Sequence, residues 1–113
     1  MTPLNHYIQA IMGQASPAVL IQQSHERERE AVPEGTIETR TSHYAFADGV
    51  QLQEEREDFY PTTNAPIDEA SCPPCTIDYR VTQHGQQTVY PASKRFHNEC
   101  QRLFWVAVFH LPT

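Results

Sequence analysis

The sequence predicts a small α+β domain, in which an N-terminal helix packs on an antiparallel sheet of about five strands. Three observations carry this prediction: one helical period at the start of the chain, several β-rich segments after it, and turn dipeptides between those segments. The length of 113 residues predicts a single domain, residues 1–113, with one modest core.

The first element is a short amphipathic helix that ends at Met12. Leu4, Ile8 and Ile11 recur at helical spacing together with Met12, and Gly13 follows as a stop signal. We therefore expect this helix to pack its apolar side on another element.

The next segment is a surface segment whose type the sequence leaves open. The apolar run at residues 18–21 is too short to assign, and residues 25–30 alternate glutamate with arginine after His25. In a strand this alternation puts the arginines on one face and the glutamates on the other, whereas a helix would be entirely solvated. Pro33 and Gly35 end the segment in either case.

The strongest hairpin signal is the type I′ turn dipeptide Asp48-Gly49. The flanking residues 36–46 and 50–60 have strand character. A two-residue turn at this place puts Arg40 opposite Glu57, so that opposite charges meet across the strands.

A proline-rich loop is predicted at residues 61–74. The alternation of apolar and polar residues at 77–82 then predicts a strand, and His84-Gly85 would turn it into a second hairpin with residues 86–90.

The last segment has two competing interpretations. The first places a short helix after Ser93, which carries His97 and Cys100, and makes the apolar run Leu103–Phe109 a central strand covered on both faces. The second is one helix from Ser93 through Phe109.

Four residues predict a zinc site that would staple the hairpin between them. Cys72 and Cys75 form one pair, His97 and Cys100 form a second pair of equal spacing, and 21 residues separate the pairs. Thiolate and imidazole ligands at this spacing favour a structural, tetrahedral zinc ion. Such an ion would help to hold a small core together.

The same four residues carry a resemblance to a known family. A Cys-Pro-x-Cys knuckle, a hairpin and a ligand pair near a helix start resemble a treble-clef zinc finger, and residues 96–100 resemble the first finger of a LIM domain. The resemblance covers residues 71–103. It implies structural, non-catalytic zinc and a protein-interaction role, although Leu103 stands where the next cysteine of a LIM domain would be. The ligands that it implies are Cys72, Cys75, His97 and Cys100.

Two other interpretations of these residues remain open. Cys72 and Cys75 would form a redox pair, but the acidic residues Asp68 and Glu69 before them raise a thiol pKa rather than lower it. Alternatively the pattern is accidental, and Cys100 is then a small buried apolar residue.

Composition and charge argue against some classes of function. The formal net charge of −6 disfavours binding to nucleic acid and to anionic lipid. No apolar stretch approaches the roughly 20 residues that span a bilayer, and the first residues do not resemble a signal peptide. An odd number of cysteines fits reduced thiols, so we expect a cytoplasmic protein.

The predicted function is a non-enzymatic binding or regulatory module. Its protein partner would contact exposed aromatic residues such as Tyr44 or a sheet edge, and the same edge would support a homodimer. The alternative is a small enzyme or small-molecule-binding protein, whose sheet and helix enclose an apolar pocket lined by Phe104, Trp105 and tyrosines. An interaction module predicts instead a filled core and an exposed apolar patch.

Overall fold

A computed structural model describes residues 1–62 and 72–110. The elements in chain order are β1 (Thr2–Pro3), α1 (Leu4–Ile11), β2 (Leu20–Val32), β3 (Gly35–Phe46), β4 (Gln51–Pro61), β5 (Pro74–Gln83), β6 (Val89–Tyr90), β7 (Ser93–Asn98) and α2 (Glu99–Val108).

The main sheet is antiparallel and five-stranded, with the order β2-β3-β4-β5-β7. The short strands β1 and β6 form a separate parallel pair. This architecture confirms the predicted α+β class with an N-terminal helix on an antiparallel sheet.

The core lies between the two helices and one face of the sheet, called here the inner face. Leu4, Tyr7 and Ile8 of α1 are fully buried, as is Val106 of α2. Edge-to-face packing of Tyr7 on Phe46, with ring centroids 4.9 Å apart, fastens α1 to β3. The remaining buried apolar side chains of the sheet are Tyr44, Leu52, Ile77, Tyr79 and Phe96.

The N-terminal helix ends one residue before the predicted position, and Gly13 follows with a φ of 75°. This left-handed conformation favours glycine, which explains why the sequence signal was correct. Neither helix in the described part of the chain is long and apolar enough to cross a membrane.

The hairpin of β3 and β4 forms where it was predicted, but its register differs by one residue. Arg40 pairs with Arg56 rather than with Glu57. The loop is longer than two residues, and within it the carboxylate of Asp48 accepts hydrogen bonds from the amide of Val50 (3.1 Å) and from the hydroxyl of Tyr7 (2.6 Å). The α1 helix therefore takes part in setting this turn.

The second predicted hairpin is wrong. Only Val89 and Tyr90 of its return segment lie in a strand, and they pair in parallel with β1. The antiparallel neighbour of β5 is β7. Alternation within a segment identifies a strand but carries no information on a partner supplied by the other end of the chain.

The predicted strand Leu103–Phe109 is also wrong, because these residues belong to α2 apart from Phe109, which caps its C-terminus. The competing prediction of one helix from Ser93 through Phe109 correctly made these residues helical, but it began the helix too early, since α2 starts at Glu99. The side chain of Asn98 accepts a hydrogen bond from the amide of Gln101 (2.8 Å) and begins the helix there. The predicted loop at residues 61–74 lies largely outside the described residues.

Candidate functional site

The four predicted zinc ligands are not gathered around one point. Cys72 and Cys100 form a disulfide across 28 residues, with their Cα atoms 6.2 Å apart. Cys75 is a free thiol, and His97 is exposed. Among residues 1–62 and 72–110, no three His, Cys, Asp or Glu side chains form a group that would hold a metal ion.

The resemblance to a LIM finger and the zinc-stapled hairpin are therefore wrong. Two of the three ligand thiols are consumed in a covalent bond, and the segment between the pairs does not fold as the required hairpin. Two of the four residues, Cys72 and Cys100, are indeed joined, but by a disulfide bond rather than through a metal ion. The redox hypothesis paired Cys72 with Cys75, whereas the disulfide joins Cys72 to Cys100.

Cys75 lies half-buried on the inner face. Burial raises the pKa of its thiol, and the nearby guanidinium of Arg56 acts in the opposite direction. The thiol is therefore protonated at neutral pH and is a weak nucleophile.

The inner face changes from apolar to charged along the strands. Its charged end holds a chain of ion pairs, called here the ion ladder, that connects β2, β3, β4 and α2. Asp58 lies 3.4 Å from Arg40 and 3.0 Å from Arg56. Arg56 also lies 2.9 Å from Glu99. The members of the ladder in order are Arg29, Glu38, Arg40, Asp58, Arg56, Glu99 and Arg102.

Three arginines meet side by side at the centre of this face. Arg27 pairs with Arg40, and Arg40 pairs with Arg56, on three neighbouring strands. Like charges directly opposite each other destabilise a sheet. The carboxylates of the ladder offset this repulsion for Arg40 and Arg56. Arg27 forms no ion pair with any residue in the described ranges.

A polar cleft of about 510 Å³ opens over this row of arginines. The end of α1 contributes the aliphatic side chains of one wall, Ile11 and Met12. The other lining residues are His25, Glu26, Arg27, Arg40, Ser42, Tyr44, Glu54, Arg56 and Arg102. Phe104 and Trp105, predicted to line an apolar pocket, are not among them.

The cleft contains one contact that resembles part of a catalytic arrangement. Nδ1 of His25 lies 2.8 Å from the hydroxyl oxygen of Ser42, and Nε2 lies 3.2 Å from the amide oxygen of Gln23. In hydrolases the third group is a carboxylate that stabilises the imidazolium. The amide of Gln23 carries no charge, so this contact is a hydrogen-bonded pair rather than an activated nucleophile.

Two buried tyrosines of the inner face, Tyr44 and Tyr79, are held in their neutral form. Burial raises the pKa of Tyr44, and the carboxylate of Glu54 raises it further. The same two causes raise the pKa of Tyr79. The hydroxyl of Tyr79 accepts a hydrogen bond from Arg102 (2.9 Å). Tyr44, predicted as an exposed contact residue, is instead 7 % exposed and belongs to the core.

A second candidate surface is the outward side of α2. Leu103, Phe104 and Val108 are 46 %, 70 % and 46 % exposed, and Ala107 lies between them on the same side. The opposite side of the helix carries the buried Val106, and the ring of Trp105 packs 5.6 Å from that of Phe96. The helix is therefore apolar on both sides and covered on one.

A third candidate surface is the edge of the sheet at β2. Within the described part of the chain this strand of 13 residues pairs with β3 alone, and every residue from Ile21 to Ala31 is exposed. The alternation of charges at Glu26–Glu30 places Arg27 and Arg29 on the inner face and the three glutamates on the outer face. The strand interpretation of this segment was the correct one.

Sequence reasoning missed the ion ladder. The predicted register placed Arg40 opposite a glutamate, so that no row of arginines was expected. The charged residues at alternate positions of β4, Glu54, Arg56 and Asp58, were a visible signal of a charged strand face.

No protein-family model, curated protein or solved structure matches this chain.

Proposed function

We propose that this protein is a non-enzymatic binding module whose outward α2 surface docks an apolar helix of a partner protein. The exposure of Leu103, Phe104 and Val108 on a helix whose other side is buried carries the proposal. Contiguous exposed apolar side chains of this kind are typical of interaction sites.

The size of the surface favours a weak, reversible complex. One helix of 10 residues offers far less than the roughly 800 Å² per partner of a stable interface. A partner helix that lays its apolar stripe along α2 would bury Leu103 and Phe104 in one turn and Val108 in the next. The net charge of −6 favours a partner with basic residues beside that stripe.

The polar cleft supports the alternative function less well. An enclosed apolar pocket was the expected feature of a small-molecule-binding protein, whereas this cleft is floored by a row of arginines, of which Arg40 and Arg56 already pair with Asp58. The core beneath the helices is filled by the buried cluster. Both features agree with the interaction module.

A designed helical peptide tests the proposal. The probe is an amphipathic peptide of about 20 residues, with leucines along one face and lysines along the other, which is long enough to form a helix. We expect it to bind with a Kd on the order of 10–100 μM, and Phe104→Glu to abolish the binding.

The matched control is Phe59→Glu. Phe59 is also an exposed aromatic, 48 % accessible, but it lies on the outer face of the sheet, away from both helices. Equal loss of binding in the two variants, or no loss with Phe104→Glu, would contradict docking on α2. A wild-type chain that forms dimers which Phe104→Glu dissociates would assign the surface to a second copy.

We also propose that the chain works in an oxidising compartment. The prediction of a cytoplasmic protein rested on an odd number of cysteines, but one disulfide and one free thiol account for all three. Disulfides persist in secreted and periplasmic settings and are rare in the cytosol. The protein should be purified without reductant and then denatured for thiol titration. We expect one reactive thiol per chain, and three thiols would contradict an oxidising compartment.

A further inference from the structure

We infer that the β2 edge is a docking site for an unlike strand, specifically an extended segment in which basic and acidic residues alternate. This site is separate from the α2 surface of the proposed function, because β2 and β7 are the opposite edges of the sheet and α2 contacts β5 and β7.

The first support is the geometry of the strand. β2 is long, and among residues 1–62 and 72–110 it pairs with β3 alone, so that a row of backbone amide and carbonyl groups faces outward on its other side. An edge of this kind accepts a further strand through main-chain hydrogen bonds.

The second support is that four of the five charges of Glu26–Glu30 lack partners in the described part of the chain, the exception being Arg29, which pairs with Glu38. The three outer-face glutamates lie opposite Thr41, Thr39 and Ile37 of β3. Neither these glutamates nor Arg27 form an ion pair with any residue in the ranges that the structure covers. A strand on the outer side of β2 would supply the missing partners.

The pattern also excludes one occupant. When two copies of an antiparallel sheet join edge to edge about a twofold axis perpendicular to the sheet, residues of the same face lie opposite each other. All the glutamates of Glu26–Glu30 are on one face and both arginines on the other. Overlap of the two charged segments therefore pairs glutamate with glutamate and arginine with arginine, which is repulsive. This argues against the predicted homodimer at this edge.

The complementary sequence follows directly from the register. An antiparallel partner needs a basic residue opposite each of Glu26, Glu28 and Glu30, and an acidic residue opposite Arg27 and Arg29. The partner core is thus Lys-Glu-Lys-Glu-Lys or its arginine and aspartate equivalents, in a segment of β-branched flanking residues.

Two synthetic peptides test the inference. Both carry the same flanks of threonine and valine, one with the core Lys-Glu-Lys-Glu-Lys and the other with the block core Lys-Lys-Lys-Glu-Glu. Two of the five cross-strand pairs become like-charged with the block core, so we expect it to bind about tenfold more weakly at low salt. Amide hydrogen exchange should slow at alternate residues of β2 in the complex with the first peptide.

A pair of variants distinguishes binding at the β2 edge from attraction to the overall charge of the sheet. Glu28→Lys should weaken binding of the alternating peptide about tenfold. Glu57→Lys makes the same change in the same cross-strand row, since Thr39 pairs with both Glu28 and Glu57, but in an interior strand. It should change the affinity by less than about twofold.

Three results would overturn the inference: no binding of the alternating peptide, equal affinity for the two peptides, or equal effects of the two variants. Phe104→Glu should leave peptide binding unchanged. Failure at β2 and failure at α2 are therefore distinguishable.

Discussion

The single residue with the largest consequence is Cys100, because its partner decides how the end of the chain is fastened. Its bond to Cys72 connects the chain two residues before β5 to the first turn of α2. A cross-link over 28 residues removes conformational freedom from the unfolded chain.

We predict that Cys100→Ser lowers the free energy of unfolding by about 3–4 kcal/mol. This is the contribution expected when a cross-link that closes a loop of this length no longer restricts the unfolded chain. Cys75→Ala is the matched control, since it removes a thiol that makes no bond, and it should cost about 1 kcal/mol of packing. Urea denaturation measures both. A zinc site would instead make the two variants equally damaging and stability sensitive to a chelator.

At the scale of elements, α2 shows how a helix is selected from an apolar run with no clear period. Its N-terminus is defined by a reciprocal pair of contacts: Asn98 accepts from the amide of Gln101, and the side chain of Gln101 accepts from the amide of His97 (2.9 Å). Its C-terminus is met by Asn5 of α1, which donates to the carbonyl of Val106 (3.0 Å). Both ends are thus satisfied by side chains.

We predict that Asn98→Ala lowers the free energy of unfolding by about 1 kcal/mol, because it leaves the first turn of α2 without its cap. Asn98→Asp keeps an acceptor at the same place and should be nearly neutral. Equilibrium unfolding followed by circular dichroism measures the difference. Equal losses in the two variants would mean that the cap contributes nothing.

At the scale of the whole molecule, the ion ladder continues the core into a charged region. Glu38 is 6 % exposed at its side chain and Arg102 12 %, so these charges are largely removed from water and depend on their partners. The ladder connects three strands of the sheet to α2, whereas the apolar cluster connects the sheet to both helices. The two regions together cover the inner face.

We predict that Arg56→Gln lowers the free energy of unfolding by about 1–3 kcal/mol, because Asp58 and Glu99 each lose a partner in a half-buried setting. Arg95→Gln breaks an ion pair with Asp78 of similar length, 2.8 Å, but on an exposed surface. It should produce no measurable loss. Equal effects would show that the ladder behaves as a surface network.

The sequence by itself determined the local elements of this protein. The helix at Leu4, the strand character of the segments that became β3, β4 and β5, and the hairpin at Asp48-Gly49 were all predicted, because each depends on periodicity or turn chemistry within a few residues. The α+β class with a sheet of about five strands followed from them.

Tertiary structure alone decided the register, the partners and hence the candidate sites. The turn between β3 and β4 is hydrogen-bonded through Asp48 to Tyr7, 41 residues away, and α2 ends against Asn5, 101 residues from Val106. Equal spacing of Cys72, Cys75, His97 and Cys100 suggested a metal, while the fold brought only two sulfurs together. A sequence pattern reports on residues that are close along the chain, whereas these contacts join residues that are far apart along it. Only the folded chain therefore decides which of the alternative contacts form.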